Sequence, residues 1–371
     1  MLTVNTNKPY KIFAEVLDKG ALEQFESAMQ QDFVVQGALM PDAHTGYSLP
    51  IGTVVATEGV VVPAWVGYDI GCGMCATPTT FKAEEVRQNA KAIFDEIYKA
   101  VPVGFNHNQK PVVWEEALRL DCTPFLAELF NRSGLLQLGT LGGGNHFAEV
   151  GEDESGVIWV VIHSGSRNLG HSVASAYMRI ASCSDKPKEG HYGLHVDSAF
   201  GQDYIKDLNF CLAFALQNRK TLIDRIIYAM RSVVCGTGMG EMFINRNHNH
   251  AELRNGLWIH RKGATHAEEG MRGVIPGNMR DGSFIVRGLG NPDSLYSSSH
   301  GAGRVLGRKE AQRVLDLDKF TETMSGVTAL VTKETLDESP FAYKNIFDVM
   351  AQQTDLVEVL AHVKPIINIK G

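Results

Sequence analysis

The chain has 371 residues, enough for one large or two average domains and for a substantial buried core. Its 35 Lys and Arg against 42 Asp and Glu leave a net charge of −7, and apolar residues make up 44% of the chain, a balance that excludes wholesale disorder. No apolar run approaches the roughly 18 residues of a membrane span, the start Met1–Lys8 has no secretory core, and six cysteines are too few for a disulfide framework. A reducing cytoplasm is the expected location, with no membrane partner. The mild acidity confines any attraction for nucleic acid to a local patch.

In chain order, the pattern predicts a first helix over Gly20–Gln30, then a Gly- and Pro-punctuated β-rich stretch from Val34 to Ala76 with strands at Thr53–Thr57 and Gly59–Val62. Residues 83–100 read as a helix, because Val86, Ala90, Ile93, Phe94 and Ile97 share one face. Val157–Ile162 is a β-branched run that reads as a buried strand ending at His163. A long helix over 202–233, a strand at Ser283–Arg287, a short helix from Arg308 to Leu317 and a final helical region from Tyr343 to His362 complete the reading. Helices and strands interleave without regular βαβ spacing, which predicts an α+β chain forming one large mixed domain over 1–371, its β-sheets packed by helices.

The 37 glycines, about a tenth of the chain against an average near 7%, collect beside potential ligands. The clusters are Val66–Gly73, Gly139–Glu149, His163–Arg167, Asn247–His250 and Ser297–Arg304. One such cluster is most simply a tight turn; five point to a shared site, since glycine lets backbone approach a ligand closely.

Two chemistries suit these residues. Asp69 and Cys72, three apart on a glycine-rich turn, can aim a carboxylate and a thiolate at one point, with imidazoles from His146, His163 and His248, and a thiolate can bridge two ions. Cys72 with Cys75 lacks the second Cys-x-x-Cys of a zinc knuckle. His44, His107, His171, His191, His195, His260, His266 and His362 read as structural, although Pro41-Asp42-Ala43-His44-Thr45-Gly46 stands out. His250 can share a face with His248 in an extended segment. The runs Gly142–Asn145 and His300–Gly303 can present backbone N–H groups to an anion, but neither is a P-loop or dinucleotide fingerprint. From Trp258 to Arg313, nine basic against five acidic residues give a local net charge of +4 around His300.

Together these blocks, with Met40–His44, Arg261–Ala264, Ile285–Asn291 and the terminal Lys370-Gly371, resemble the RtcB family of RNA ligases over most of the chain. The resemblance implies a GTP- and manganese-dependent ligase that joins RNA 3′-phosphate or 2′,3′-cyclic phosphate ends to 5′-hydroxyl ends. It proceeds through a guanylylated histidine and an RNA(3′)pp(5′)G intermediate, in tRNA splicing or RNA repair. By carry-over, Asp69, Cys72 and His146 would hold one Mn²⁺, and Cys72, His163 and His248 the other. His248 is preferred to His250 because the family pattern is His followed by Asn. GTP would contact Asn145, His146, Phe147, Ala148, Glu149, His248, Asn249, Pro276, Gly277, Asn278, Met279, Ser283, His300, Gly301, Ala302, Gly303 and Lys370. His300 would be the guanylylated residue, and Glu149 suits the guanine edge. Arg167 leads the candidates for RNA phosphate, followed by Arg261, Lys262 and Arg304. Asn278 and Ser298 depart from the family's common serine and cysteine, which predicts altered fine contacts with the nucleotide. An archease-like activator or a ribosome-repair partner stands among the expected partners. The alternative is a two-metal phosphoesterase or nuclease, which would use the same five ligands to activate water and has no need of the His300 block.

Overall fold

Two mainly antiparallel sheets organise the computed structural model, which describes residues 2–371. The smaller runs in the order Tyr10–Ile12, Val34–His44, Ile51–Thr57, Leu257–Lys262, Asn249–Arg254. The larger runs Arg272–Pro276, Ser283–Gly288, Val357–Lys370, Phe147–Glu152, Val157–Ser164, Gly73–Lys82, Ile244–Asn247, with Thr328–Ala329 parallel beside Val357–Lys370. This is the mixed helix-and-sheet α+β architecture expected. Among the described residues no helix is long and apolar enough to cross a membrane.

The helix Ala199–Arg231 is the spine behind the larger sheet. The Ser198 side chain caps it by accepting from the Gly201 N–H at 3.1 Å. Its buried positions Tyr204, Leu208, Cys211, Leu222 and Ile226 recur at helical spacing and pack into two apolar clusters. Asn218 and Arg219 fall inside that stripe and are fully buried.

Three elements differ from the sequence expectation. The helix over 83–100 is two helices, Ala83–Gln88 and Ala90–Ala100, because the Asn89 side chain bonds back to the Glu85 carbonyl and its backbone leaves helical geometry. The helix from Arg308 ends at Val314, and a separate one begins at Leu317. The helical region to His362 is wrong beyond its first part: only Ile346–Ala351 is α-helical there, and Val357–Lys370 is a strand. Its Val- and Ile-rich sequence fills a slot between Ser283–Gly288 and Phe147–Glu152, a pairing made between segments far apart in sequence and therefore absent from local periodicity. Pro365, which cannot donate to a ladder, sits at a register shift.

Leu208 is fully buried on the spine. Leu208→Ala should destabilise the protein by about 2–5 kcal/mol, read as a lower urea midpoint with an unchanged m-value.

Candidate active site

Four neighbouring strands of the larger sheet bring the predicted metal ligands to one edge. His146 immediately precedes Phe147–Glu152, His163 lies near the end of Val157–Ser164, Cys72 precedes Gly73–Lys82, and His248 follows Ile244–Asn247. Antiparallel pairing puts the start of one strand beside the end of the next, so residues spread from 72 to 248 become neighbours. The register pairs Phe147 with His163, Gly73 with Ser164 and Gly73 with Asn247. Asp69 enters from the preceding turn, where the Cys72 N–H donates to the Asp69 carbonyl at 3.1 Å.

The five side chains touch in the order Asp69, His146, Cys72, His163, His248. His146 Nε2 lies 2.9 Å from Asp69 Oδ2 and 3.3 Å from Cys72 Sγ; His163 Nε2 is 3.1 Å from the same sulfur and 3.2 Å from His248 Nε2. His146 Nδ1 and His163 Nδ1 face the carbonyls of Leu141 and Asn145 at 2.9 and 3.1 Å, and must donate to them. Both Nε2 lone pairs therefore converge on Cys72. Burial drives His163 and His248 well below the ordinary imidazole range, so protons are a poor remedy for this crowd of acceptors. Burial, then the Asp69 carboxylate, pushes the Cys72 thiol up. For Asp69 burial opposes ionisation, but His146 outweighs it and holds the carboxyl near about 2. A single thiol proton cannot answer all the N, O and S lone pairs that meet here, an excess that fits a metal, and Cys72, His146 and His163 form a group able to hold one. Cys75 alternates to the other face of its strand and is buried in the apolar core, away from this group.

The spine helix braces the cluster from behind. Arg219, wholly buried, donates to the carbonyls of Gly71 and Ser164 at 2.8 Å and to the side-chain oxygens of Asn245 and Asn247 at 2.7 and 2.6 Å. One guanidinium thus ties together the segments that carry Cys72, His163 and His248. Asn218 saturates its amide with Gly139 and Thr140 N–H groups and with Thr140 O, Ser164 Oγ and Gly165 O. Neither residue was among the sequence candidates; their signal was two strongly polar residues at core positions of an amphipathic helix. Arg167 lies at the rim, donating to Thr140 Oγ1 at 3.1 Å and to the Gly104 carbonyl at 3.0 Å. At Gly142, with φ +96°, a Cβ would overlap the Arg167 guanidinium and crowd His146.

His300 joins the cluster through His248, their ring centroids 4.8 Å apart. Its Nδ1 lies 2.7 Å from Asp42 Oδ2, an oxygen that also accepts from the backbone N–H groups of His300 and Gly301 at 3.2 and 3.3 Å. Burial works against the Asp42 carboxylate, but the contact with His300 prevails and keeps it below its ordinary range. Lys344 clamps the flanking carbonyls of Pro41 and Ala43 at 3.3 and 2.7 Å. The sequence pattern around Pro41–Gly46 assigns Asp42 no role, and its neighbour His44, which reads as structural, lines the adjoining cavity.

That cavity is about 1120 Å³, large enough for a nucleoside triphosphate. Of the predicted nucleotide contacts, Asn145, Phe147, Pro276, Gly277, Asn278, Met279, His300, Gly301, Ala302, Gly303 and Lys370 line it. His146 and His248 belong to the side-chain cluster around Cys72. Asn249 instead accepts from the Gly263 N–H and donates to the Asp69 carbonyl. Ala148 is core. Glu149 lies beneath the floor, its Oε2 accepting from Asn368 Nδ2 at 3.3 Å, and burial lifts its carboxyl to about 8. Glu149 Oε1, Ser283 Oγ and Asn368 Oδ1 are buried without partners, a set of unanswered polar atoms that suits a ligand edge carrying N–H donors. Asn278 spends its amide within its own turn, with Arg280 and Asp281. Ser298 is buried. Lys370 pairs with Glu338 at 2.7 Å; burial opposes that carboxylate's charge, but Lys370 and Arg308 hold its pKa at about 2.

Other expectations separate. Arg261 is fully buried and paired with Glu252 and Glu268, and Lys262 donates to the Ala64 carbonyl, so neither faces a phosphate path. Arg304 lines the cavity. His250 turns away from His248 because the strand is interrupted at His248; it stacks on His266 and meets Arg261.

Comparison with known proteins gives the family. A family model described as tRNA-splicing ligase RtcB matches residues 24–123 and 122–371, and the chain belongs to that family. It is 33% identical to the "RNA-splicing ligase RtcB1" of an Escherichia coli strain, covering 100% of this chain and 99% of that protein, and 32% identical, with the same coverage, to "RNA-splicing ligase RtcB" of Escherichia coli K12. The "tRNA-splicing ligase RtcB" of Pyrobaculum aerophilum is 30% identical over 90% of this chain and 87% of its own.

Arg219→Met would strip partners from four acceptors at once, the buried carbonyls of Gly71 and Ser164 and the half-buried side chains of Asn245 and Asn247. The expected result is a loss of roughly 3 kcal/mol or more in urea unfolding, together with loss of bound metal measured by atomic emission on the folded fraction. Retention of full metal content would show that the ligands hold their places without it.

Proposed function

We propose that the protein is a GTP-dependent RNA ligase that joins 3′-phosphate or 2′,3′-cyclic phosphate ends to 5′-hydroxyl ends, in tRNA splicing or RNA repair. The observation that carries it is the His300 imidazole, pinned through Nδ1 to Asp42 and packed against the metal-ligand cluster at the head of a nucleotide-sized cavity. The names of the relatives support the same reading.

The chemistry follows from which atoms are left free. Donation by Nδ1–H to the Asp42 carboxylate fixes the tautomer with the lone pair on Nε2, the nucleophile required. Nε2 attacks the α-phosphorus of GTP as the bond to pyrophosphate breaks, and Asp42 stabilises the positive charge that grows on the ring. An oxygen of the RNA 3′-phosphate then displaces the imidazole and takes the GMP, giving RNA(3′)pp(5′)G. The 5′-hydroxyl attacks the activated 3′-phosphorus, and GMP leaves. Cyclic ends are first hydrolysed: water adds to the phosphorus, the bond to the 2′-oxygen breaks, and a 3′-phosphate with a free 2′-hydroxyl results. Two Mn²⁺ ions, one held by Asp69, Cys72 and His146 and the other by Cys72, His163 and His248, would supply positive charge for phosphate oxygens. Glu149, with Ser283 and Asn368, recognises the guanine edge from beneath the floor, and Arg167 at the rim binds RNA phosphate.

A two-metal hydrolase has no use for a tautomer-locked histidine beside a nucleotide cavity, which favours the ligase. With α-³²P-GTP and Mn²⁺, the protein should acquire an acid-labile, alkali-stable label that His300→Ala abolishes; an unlabelled wild type would leave the hydrolase reading. Asp42→Asn should slow labelling by on the order of a hundredfold, and Cys72→Ser should abolish it. Because the Glu149 carboxyl sits at about 8 when the cavity is empty and accepts N–H donors best when ionised, binding must expel its proton below that pH. GTP affinity should therefore rise with pH up to about 8 and then level off, measured by calorimetry, and Glu149→Gln should flatten the profile while weakening binding.

A further inference from the structure

We propose that Phe105 is a stacking platform for an unpaired nucleobase at the broken RNA end, an inference that rests on the ligase reading and names how that site holds its RNA. Phe105 is 98% exposed, the most exposed large apolar side chain among the described residues. A flexible loop would fold such a ring away from water, but this loop is pinned on both sides of it. The Gly104 N–H donates to the Gly142 carbonyl at 2.8 Å, and Val103 bridges to Gly142. Asn108 donates to the carbonyls of Leu136 and Leu138 at 2.8 and 2.7 Å and accepts from Arg225 at 2.8 Å. The ring is held out, with nothing covering it.

Its position ties it to the reacting end of the RNA. The carbonyl of Gly104, the preceding residue, accepts from Arg167, and the same strand-like contact with Gly142 leads directly to the turn that sets His146. Charge agrees: from Val103 to Trp114 there is one lysine, Lys110, and no carboxylate, so a polyanion meets no repulsion there. A rigid exposed aromatic one residue from a backbone carbonyl that holds a guanidinium suits single-stranded nucleic acid, the ring taking a base face and the guanidinium a phosphate. Every base has a π-face, so the platform accepts any terminal base and grips an unpaired end in preference to a duplex.

The test uses the full chain with GTP and Mn²⁺, and pairs of RNA strands whose end nucleotides at the break are either intact or abasic. His300 labelling is measured first, since it involves no RNA. Phe105→Ala should leave that labelling at the wild-type rate yet raise the apparent KM for intact RNA about tenfold, and Phe105→Tyr should restore it. On abasic ends the wild type should show the same loss and Phe105→Ala no further one. An unchanged KM in Phe105→Ala, or an equal additional loss on abasic ends, overturns the platform while leaving the ligase intact. A wild type that neither labels nor seals overturns the ligase reading, and the platform falls with it.

Discussion

The site is governed by an excess of lone pairs at Cys72. Two imidazole nitrogens whose other nitrogens are committed to backbone carbonyls, a third from His248, a carboxylate and a sulfur lie in contact with almost no protons to share. Such an arrangement is repulsive on its own, so the surrounding protein must impose it. The sheet does so by delivering strand ends to one edge, and Arg219 does so by fastening three of those ends to the spine helix. A fully buried guanidinium is costly unless its donors are used, and here its partners are the backbone and side chains of the ligand-bearing segments themselves.

A second kind of incompleteness lies under the adjoining cavity. Under the cavity floor, Glu149, Ser283 and Asn368 leave polar atoms unanswered, while at its head Asp42 commits His300 to a single tautomer. The cluster lacks positive charge and the floor holds polar atoms without partners, while His300 packs against the cluster through His248. A nucleotide held by its base at one and by its phosphates at the other would span that distance with the histidine at its α-phosphorus.

Much of this was legible in the residues. Glycine-set Asp69, Cys72, His146 and His163 stood out by composition, His248 was preferred to His250 through the family resemblance, and the strands and helices with strong periodicity, such as Val157–Ser164 and Ala199–Arg231, were apparent locally. What was not legible depended on partners far away in sequence. Val357–Lys370 is a strand because two others flank it. Arg261 belongs to a buried ion-paired group instead of a phosphate track because Glu252 and Glu268 reach it, which no count of local charge reveals. Asp42 acquires its role only when Ser297–Ser299 and the turn after it close over Val34–His44. Arg219 had a signal, a polar residue at a core position of a helix, but its meaning lay in four oxygens contributed by residues 71, 164, 245 and 247.

Because ligands drawn from positions 69 to 248 meet at one sheet edge, whatever ion they bind is also a cross-link between distant parts of the chain. Binding to the native arrangement and not to the unfolded chain adds its own free energy to the fold, and withdrawing the ion takes that increment away. Scarcity of the ion would then be felt twice, as an idle catalyst and as a protein that opens more often to proteolysis, so that cellular abundance of the enzyme would track the supply of its metal.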